Sequence, residues 1–253
     1  MKIAICAANT VGERLANFIV KSNHNIEFAI THAADVYEPK IYNIFQENGI
    51  ECHRQLDANG AKFANLLSSH SIDLVFLLWW PQILKEHVIE QPSVGIVNLH
   101  PSLLPFNRGK HPWYWSIVEG TPAGVSLHFI NADIDSGDII AQREISKSIT
   151  TTGRCLYDES IEEIVELFKT NYESIIAQTL KSRPQHDSVG TFHYARELDK
   201  HSEIKLEEEY RAADLINIMR ARSFPSSPSS FFFLNGKRYY VNIIITEAGK
   251  DEE

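Results

Sequence analysis

The segment "GIVNLHPSLLPFNRGKHPWYW" (Gly95–Trp115) opens as a strand and closes as a helix. Asn98 and His100 stand two residues apart at the strand's end, so both side chains leave the same face and can converge on one atom. An amide donates to an oxygen that gains negative charge, and a neutral imidazole takes a proton near neutral pH. The pair suits acyl transfer, and no enzyme nucleophile is required when the substrate brings its own amine. An Asn-x-His pair also arises by chance, so its surroundings decide.

Upstream, the chain alternates. "KIAICA" is a short apolar run, and Thr10 to Val20 carries apolar positions at helical spacing. Ile26 to His32 reads as a strand, Ile41 to Asn48 as a helix, "IECHR" as a strand and "AKFANLLSSH" as an amphipathic helix. "DLVFLLWW" is an eight-residue apolar run of the kind a strand buried on both faces requires. Strands alternating with helices predict an α/β fold, a Rossmann-like doubly wound parallel sheet whose ligands bind beyond the carboxyl ends of its strands. Asn98 and His100 lie at such an end.

Downstream the period changes. "GVSLHFI" and "GDIIAQREI" alternate as antiparallel strands do, joined by the polar "NADIDS". A long helix is predicted from about Cys155 to Leu180, followed by a linker at "KSRPQHDSVG" where Pro, Gly and polar residues replace the helical period. Then come a helix around Glu208 to Arg220, the turn-rich "SFPSSPSS", and a C-terminal β-hairpin, "FFFLNGKRYYVNIII", whose Asn235-Gly236 suits a tight turn with positive φ at both central residues. Two parts are expected, residues 1–183 holding the catalytic chemistry and 184–253 holding linker, helix and hairpin.

The totals bound the function. With 253 residues, 43% hydrophobic and 23% charged, the chain can bury a real core. A net charge of −9 argues against sequence-independent nucleic-acid binding, which needs many Lys and Arg to neutralise phosphates. Cys6, Cys52 and Cys155 are far apart with no CxxC pairing, so they are expected as buried, reduced thiols rather than zinc ligands or disulfides. The apolar run after Lys2 is too short for a signal peptide, and no apolar segment approaches a bilayer-spanning length. A cytoplasmic location is expected, with no membrane partner and no metal.

The loop "NADIDSGD" returns three carboxylates, Asp133, Asp135 and Asp138. Asp135 can orient His100 and bias its protonation; equally, all three acids can simply hydrate a turn between strands.

The run "NLHPSLLPFNRGKHPWYWSIVEGTPAGVSLHFINADIDSGDIIAQ" resembles the catalytic core of the folate-dependent formyltransferases, in the order and spacing of Asn98, His100, the "SLLP" turn, Gly109 and "DIDSGD". The resemblance implies that Asn98 stabilises an oxyanion, that His100 handles the proton of the attacking amine, and that Asp135 supports His100 and positions a water. It implies 10-formyltetrahydrofolate as formyl donor, held near Trp80, Gln82 and Ile83 in "LWWPQIL" and by Asn131 and Asp133 of the later loop. Core packing competes for one of Trp79 and Trp80, because alternation sends them to opposite faces.

Three acceptor classes fit that family. Glycinamide ribonucleotide enzymes hold the substrate phosphate on a Gly- and Ser-rich loop after the first strand, whereas "ANTVGE" has one Gly and no basic residue. Methionyl-tRNA enzymes add a basic C-terminal domain, whereas the segment after Pro184 carries more acids than bases and ends "GKDEE". Sugar-nucleotide enzymes are resembled in the C-terminal part as well, through "RARSFPSSPSSFFFLNGKRYYV", although "PSSPSS" departs from their common Pro-Phe-Pro-Gly. The resemblance implies a nucleotide-linked amino sugar as acceptor, dTDP-4-amino-4,6-dideoxyglucose first, with the 3-amino sugars and UDP-4-amino-arabinose open beside it, in surface polysaccharide (O-antigen) synthesis.

For such an acceptor, Arg108 and Lys110 offer charge to a diphosphate, and His111, Trp113 and Tyr114 offer rings to a base or sugar. At helical spacing the aromatics cannot all face a ligand, and some must enter the core. The resemblance also implies a homodimer through the C-terminal hairpin, against which packing on its own domain competes. A formyltetrahydrofolate hydrolase and a non-catalytic binding module are the readings from other classes.

Overall fold

The computed structural model describes residues 1–186, 189–224 and 229–248. Its first elements are β1 (Lys2–Ala7), α1 (Asn9–Ile19), β2 (Asn25–Thr31), α2 (Glu38–Glu47), β3 (Glu51–Arg54), α3 (Ala61–Ser69), β4 (Leu74–Leu78), α4 (Glu86–Ile89) and β5 (Gly95–His100). The strand-helix alternation read from the sequence is therefore present, with boundaries displaced by a few residues. After β5 come β6 (Arg108–Gly109), α5 (Pro112–Val118), β7 (Ala123–Phe129), β8 (Ile139–Ile145), α6 (Gly153–Ile176), β9 (Phe192–His193), α7 (Glu197–Ser202), α8 (Ala212–Ala221), β10 (Ser230–Leu234) and β11 (Lys237–Val241).

Seven strands form one sheet in the order β3-β2-β1-β4-β5-β7-β8. The five from β3 to β5 pair in parallel, and β7 joins β5 antiparallel, so the sheet is mixed. The chain divides into two compact units. One comprises Met1–His100, Ser126–Gln142 and Glu163–Gln185; the other comprises Pro101–Val125, Arg143–Glu162 and the chain from His186 onward.

The first unit is built on β1 and β4, whose Ile3, Ala4, Ile5 and Leu74–Leu78 are buried because helices cover both faces. On one face, Phe28, Ile30, Phe63, Leu67, Val75, Leu77 and Ile96 form a continuous cluster. On the other, α6 sends Phe168 against Phe76 edge to face, with ring centroids 5.1 Å apart. Each such fully buried side chain contributes about 1.5–3 kcal/mol. Cys6 and Cys52 are buried, and desolvation raises both thiols, that of Cys52 to about 12. Cys155 is exposed in the first turn of α6, which corrects the expectation that all three are buried.

Other details also differ from the sequence reading. The helix expected from Glu208 begins at Ala212, because the Tyr210 hydroxyl accepts the Lys205 N–H and holds residues 205–210 as a turn. The stretch read as a linker is docked: Arg183 and Ile139 exchange both backbone hydrogen bonds, at 2.8 and 2.9 Å. Residues 187–188 of that stretch, and 225–228 of "PSSPSS", lie outside the described residues. The predicted hairpin is present as β10 and β11, with Leu234 opposite Lys237 and φ of 50° and 73° at Asn235 and Gly236.

Candidate active site

The register of β5 against β7 sets the site of the first unit. Asn98 pairs with His128 and His100 with Ser126, so a third polar side chain, His128, stands beside the pair on β5. After Phe129 the chain loops outward and returns at Gly137, where a Cβ would overlap the Phe129 carbonyl oxygen. Only glycine permits that approach. Asp135, in the left-handed region at φ 51°, thereby turns its carboxylate back toward the strands.

Four polar side chains meet there. Asp135 Oδ2 is 3.5 Å from His100 Nδ1, and its Oδ1 is 3.5 Å from Asn98 Nδ2 and 3.7 Å from His128 Nε2. Asn98 Nδ2 also lies 3.2 Å from His128 Nε2. His128 Nδ1 is 2.7 Å from the Phe129 carbonyl, which only accepts, so Nδ1 carries the hydrogen and Nε2 accepts from Asn98. Likewise the Asp135 carboxylate, which only accepts, faces His100 Nδ1. At 3.5–3.7 Å these carboxylate contacts are longer than ordinary hydrogen bonds.

His128 is wholly buried and was not singled out from the sequence; its signal is one imidazole inside the largely apolar strand "GVSLHFI". Asp133 and Asp138 are exposed, and of the three loop acids it is Asp135 that faces His100.

The segment expected to hold folate follows β4. Strand alternation stops at Leu78, and Trp79 takes φ 59°. Trp80 joins the core cluster at 8% exposure, edge to face with His32 at 5.4 Å. It is the tryptophan that packs in the core, and it is also the one assigned to folate. Its indole Nε1 and the Gln82 Oε1 are buried with no hydrogen-bond partner among the described residues. Ile83 is 61% exposed, and its carbonyl accepts from Asn59 Nδ2 at 2.8 Å while Asn59 Oδ1 accepts the Lys85 N–H at 2.7 Å. Asn131 and Asp133 are exposed and tied by Ser136, whose hydroxyl lies 2.7 Å from Asn131 Oδ1 and 3.1 Å from the Asp133 carbonyl. At the start of α1, the Asp35 carboxylate accepts the Asn9 N–H and so occupies the position an external phosphate takes at a helix N-terminus.

The second unit holds the residues expected to meet the acceptor. Arg108 and Gly109 pair in parallel with Phe192 and His193, a two-residue ladder too short to show in sequence periodicity. Buried Asn107, at φ 56°, braces this turn: its N–H donates to Thr191 Oγ1 at 2.8 Å and its Nδ2 to Thr121 Oγ1 at 2.9 Å. Arg108 is half-buried and Lys110 exposed. His111 precedes α5 at φ 60°; burial, Arg222 and Lys110 lower its pKa to about 4. Trp113 is half-buried, 4.9 Å from Tyr157 ring to ring.

Tyr114 departs from its expected role. It is 1% exposed, with its hydroxyl 2.8 Å from His201 Nδ1, so it has no face to offer a ligand. Burial pushes its phenol up to about 12. Trp115 is buried as well, stacked on His193 at 3.7 Å.

Residues 2–168 match the formyl transferase family. The chain belongs to that family. Residues 197–247 match the N-formyltransferase dimerization C-terminal domain. Methionyl-tRNA formyltransferase of Syntrophus aciditrophicus is 32% identical over 177 residues, 69% of this chain; the chain spans just over half of that relative, 55% of its length. A 4-N formyltransferase from Francisella tularensis superposes with TM-score 0.82 at 20% identity, covering 98% of both chains. The N-formyltransferase from Helicobacter canadensis, solved with folinic acid and dTDP-3-aminofucose, gives TM-score 0.72 at 21% identity over 93% of this chain and 85% of its own. At such identities the likeness is one of fold. Among the described residues no group of three or more His, Cys, Asp or Glu side chains is placed to hold a metal, and no helix is long and apolar enough to cross a membrane.

Proposed function

We propose that the protein transfers the formyl group of 10-formyltetrahydrofolate to the amine of a nucleotide-linked amino sugar, with dTDP-4-amino-4,6-dideoxyglucose the first acceptor to try. The observation that carries the chemistry is the meeting of Asn98, His100 and Asp135, braced by His128. Asn98 has two N–H groups; one is engaged by His128 and Asp135, and the other donates to the formyl oxygen as it gains charge. His100, oriented by Asp135, takes the proton of the attacking amine and returns it to the folate N10 as the C–N10 bond breaks. The new C–N bond to the sugar amine completes the exchange, and no enzyme residue is acylated. For the folate, the unpartnered Trp80 Nε1 and Gln82 Oε1 are a donor and an acceptor of the kind a pterin pairs with.

Several observations support a sugar nucleotide as acceptor. The C-terminal match is to a dimerization domain of N-formyltransferases, and the two sugar-type or 4-N enzymes compared cover more than nine-tenths of this chain. The Asp35 carboxylate at α1 disfavours a phosphate-bearing glycinamide ribonucleotide at that loop. Arg108 and Lys110 are assigned the diphosphate, and His111 and Trp113 the nucleotide or sugar rings. A homodimer through β10–β11, a cytoplasmic location and a role in O-antigen synthesis belong to the same reading. The methionyl-tRNA reading draws on the Syntrophus relative and is opposed by the acidic C-terminal segment.

The test incubates the protein with 10-formyltetrahydrofolate and a panel of dTDP- and UDP-linked 3- and 4-amino sugars, with initiator methionyl-tRNA as a further arm. Mass spectrometry is expected to show one formyl group gained by an amino sugar. Formylation of the tRNA, or formate release with no amine present, would overturn the proposal.

A further inference from the structure

The turn that aims Asp135 is held by a side chain from fifty residues further along the chain. Gln185 Nε2 donates to the Asp135 carbonyl at 2.9 Å and to the Gly137 carbonyl at 2.7 Å. Both partners only accept, so the amide must present its nitrogen. Its segment is docked as well: besides the Arg183–Ile139 pair, Ser182 Oγ donates to Asp138 Oδ2 at 3.3 Å and the Arg183 guanidinium donates to Gln142 Oε1. Residues 182–185 thus run beside the start of β8 and finish with an amide gripping the loop on both sides of Ser136.

Asp135 occupies the left-handed region, which is uncommon for residues other than glycine and persists where surroundings enforce it. Gly137 lets the loop return to Phe129, and the Gln185 amide fixes the carbonyls of residues 135 and 137 relative to that return. A carboxylate already 3.5 Å from both Asn98 and His100 has no slack to lose.

We propose that Gln185 is a positioning residue for the transfer reaction, acting through Asp135 by clasping the 135–137 turn. It lies outside both family matches, residues 2–168 and 197–247. Its effect on turnover rests on the transfer reading above; its grip on the loop does not.

Two variants and one cycle test it. Gln185→Ala removes the clasp, and Gln185→Met removes both donors while keeping the side chain's length, so that packing is preserved. Both are expected to lower kcat by about ten- to a hundredfold, the scale of a misplaced catalytic group, with KM for 10-formyltetrahydrofolate within about twofold of wild type. In an Asp135→Asn background the same substitutions are expected to cost no more than about twofold, since groups acting through one another are not additive. Hydrogen exchange, read without substrate, is expected to speed up at residues 131–137 in both variants. A raised KM with unchanged kcat, an undiminished loss in the Asp135→Asn background, or unchanged exchange in the loop would each overturn the proposal. A wild-type protein inactive on every acceptor refutes the transfer reading, and loop exchange in the variants then decides the clasp by itself.

Discussion

Asn98 illustrates how little one residue shows until its neighbours are placed. Its amide nitrogen lies 3.2 Å from His128 Nε2 and 3.5 Å from Asp135 Oδ1, neighbours supplied by β7 and by the loop beyond it. Asn98→Ala and His100→Ala are each expected to lower kcat by roughly a hundredfold or more, the usual cost of removing an oxyanion donor or a general base. Formyl transfer in a continuous assay checks this, and wild-type turnover in either would refute the assignment. Gly137→Ala is expected to lower kcat as well, because the added methyl meets the Phe129 carbonyl and displaces Asp135. His111 makes a pH prediction. Its folded pKa of about 4 lies below its ordinary value of 6.5, so between these the unfolded chain binds a proton that the folded chain does not. Stability is therefore expected to fall as pH drops from 6.5 toward 4. His111→Asn, which tolerates the same positive φ, is expected to flatten that slope in urea unfolding.

Elements differed in how far they were legible. The strands β1, β4 and β5 were plain because burial on both faces leaves a near-continuous apolar run. The β6–β9 pair and the six-residue α7 were invisible, since two to six residues carry no usable period. The hairpin was legible from its turn, but the fate of its aromatics was not. Phe233, Leu234, Tyr239 and Tyr240 are between 43% and 53% exposed, a surface that a second copy would cover. A chain truncated before Ser229 is expected to sediment as a monomer where the full chain sediments as a dimer. An unchanged oligomer would remove the hairpin from the interface. In the first unit, Phe76→Ala is expected to cost about 3–5 kcal/mol in urea unfolding, because Phe168 and Tyr172 close around a ring with no solvent exposure.

For the molecule as a whole, charge sets what it can bind. A chain with net charge −9 is expected to leave initiator tRNA unshifted in gel retardation at physiological salt, since such affinity grows with the phosphates neutralised. Within that acidic background Arg108 and Lys110 stand two residues apart, and Lys110→Ala is expected to raise the acceptor KM several-fold with the folate KM unchanged; an unaltered acceptor KM would take Lys110 out of the proposed diphosphate site. The sequence by itself determined the alternation of strands and helices, the shared face of Asn98 and His100, and the hairpin turn, because each follows from a period or a φ requirement confined to neighbouring residues. Tertiary structure alone decided that Asp135 rather than Asp133 or Asp138 reaches His100, that His128 stands beside Asn98, that Tyr114 is core, and that Gln185 holds the turn. Those outcomes depend on strand register and on contacts between residues as many as 87 positions apart, for which no local pattern exists.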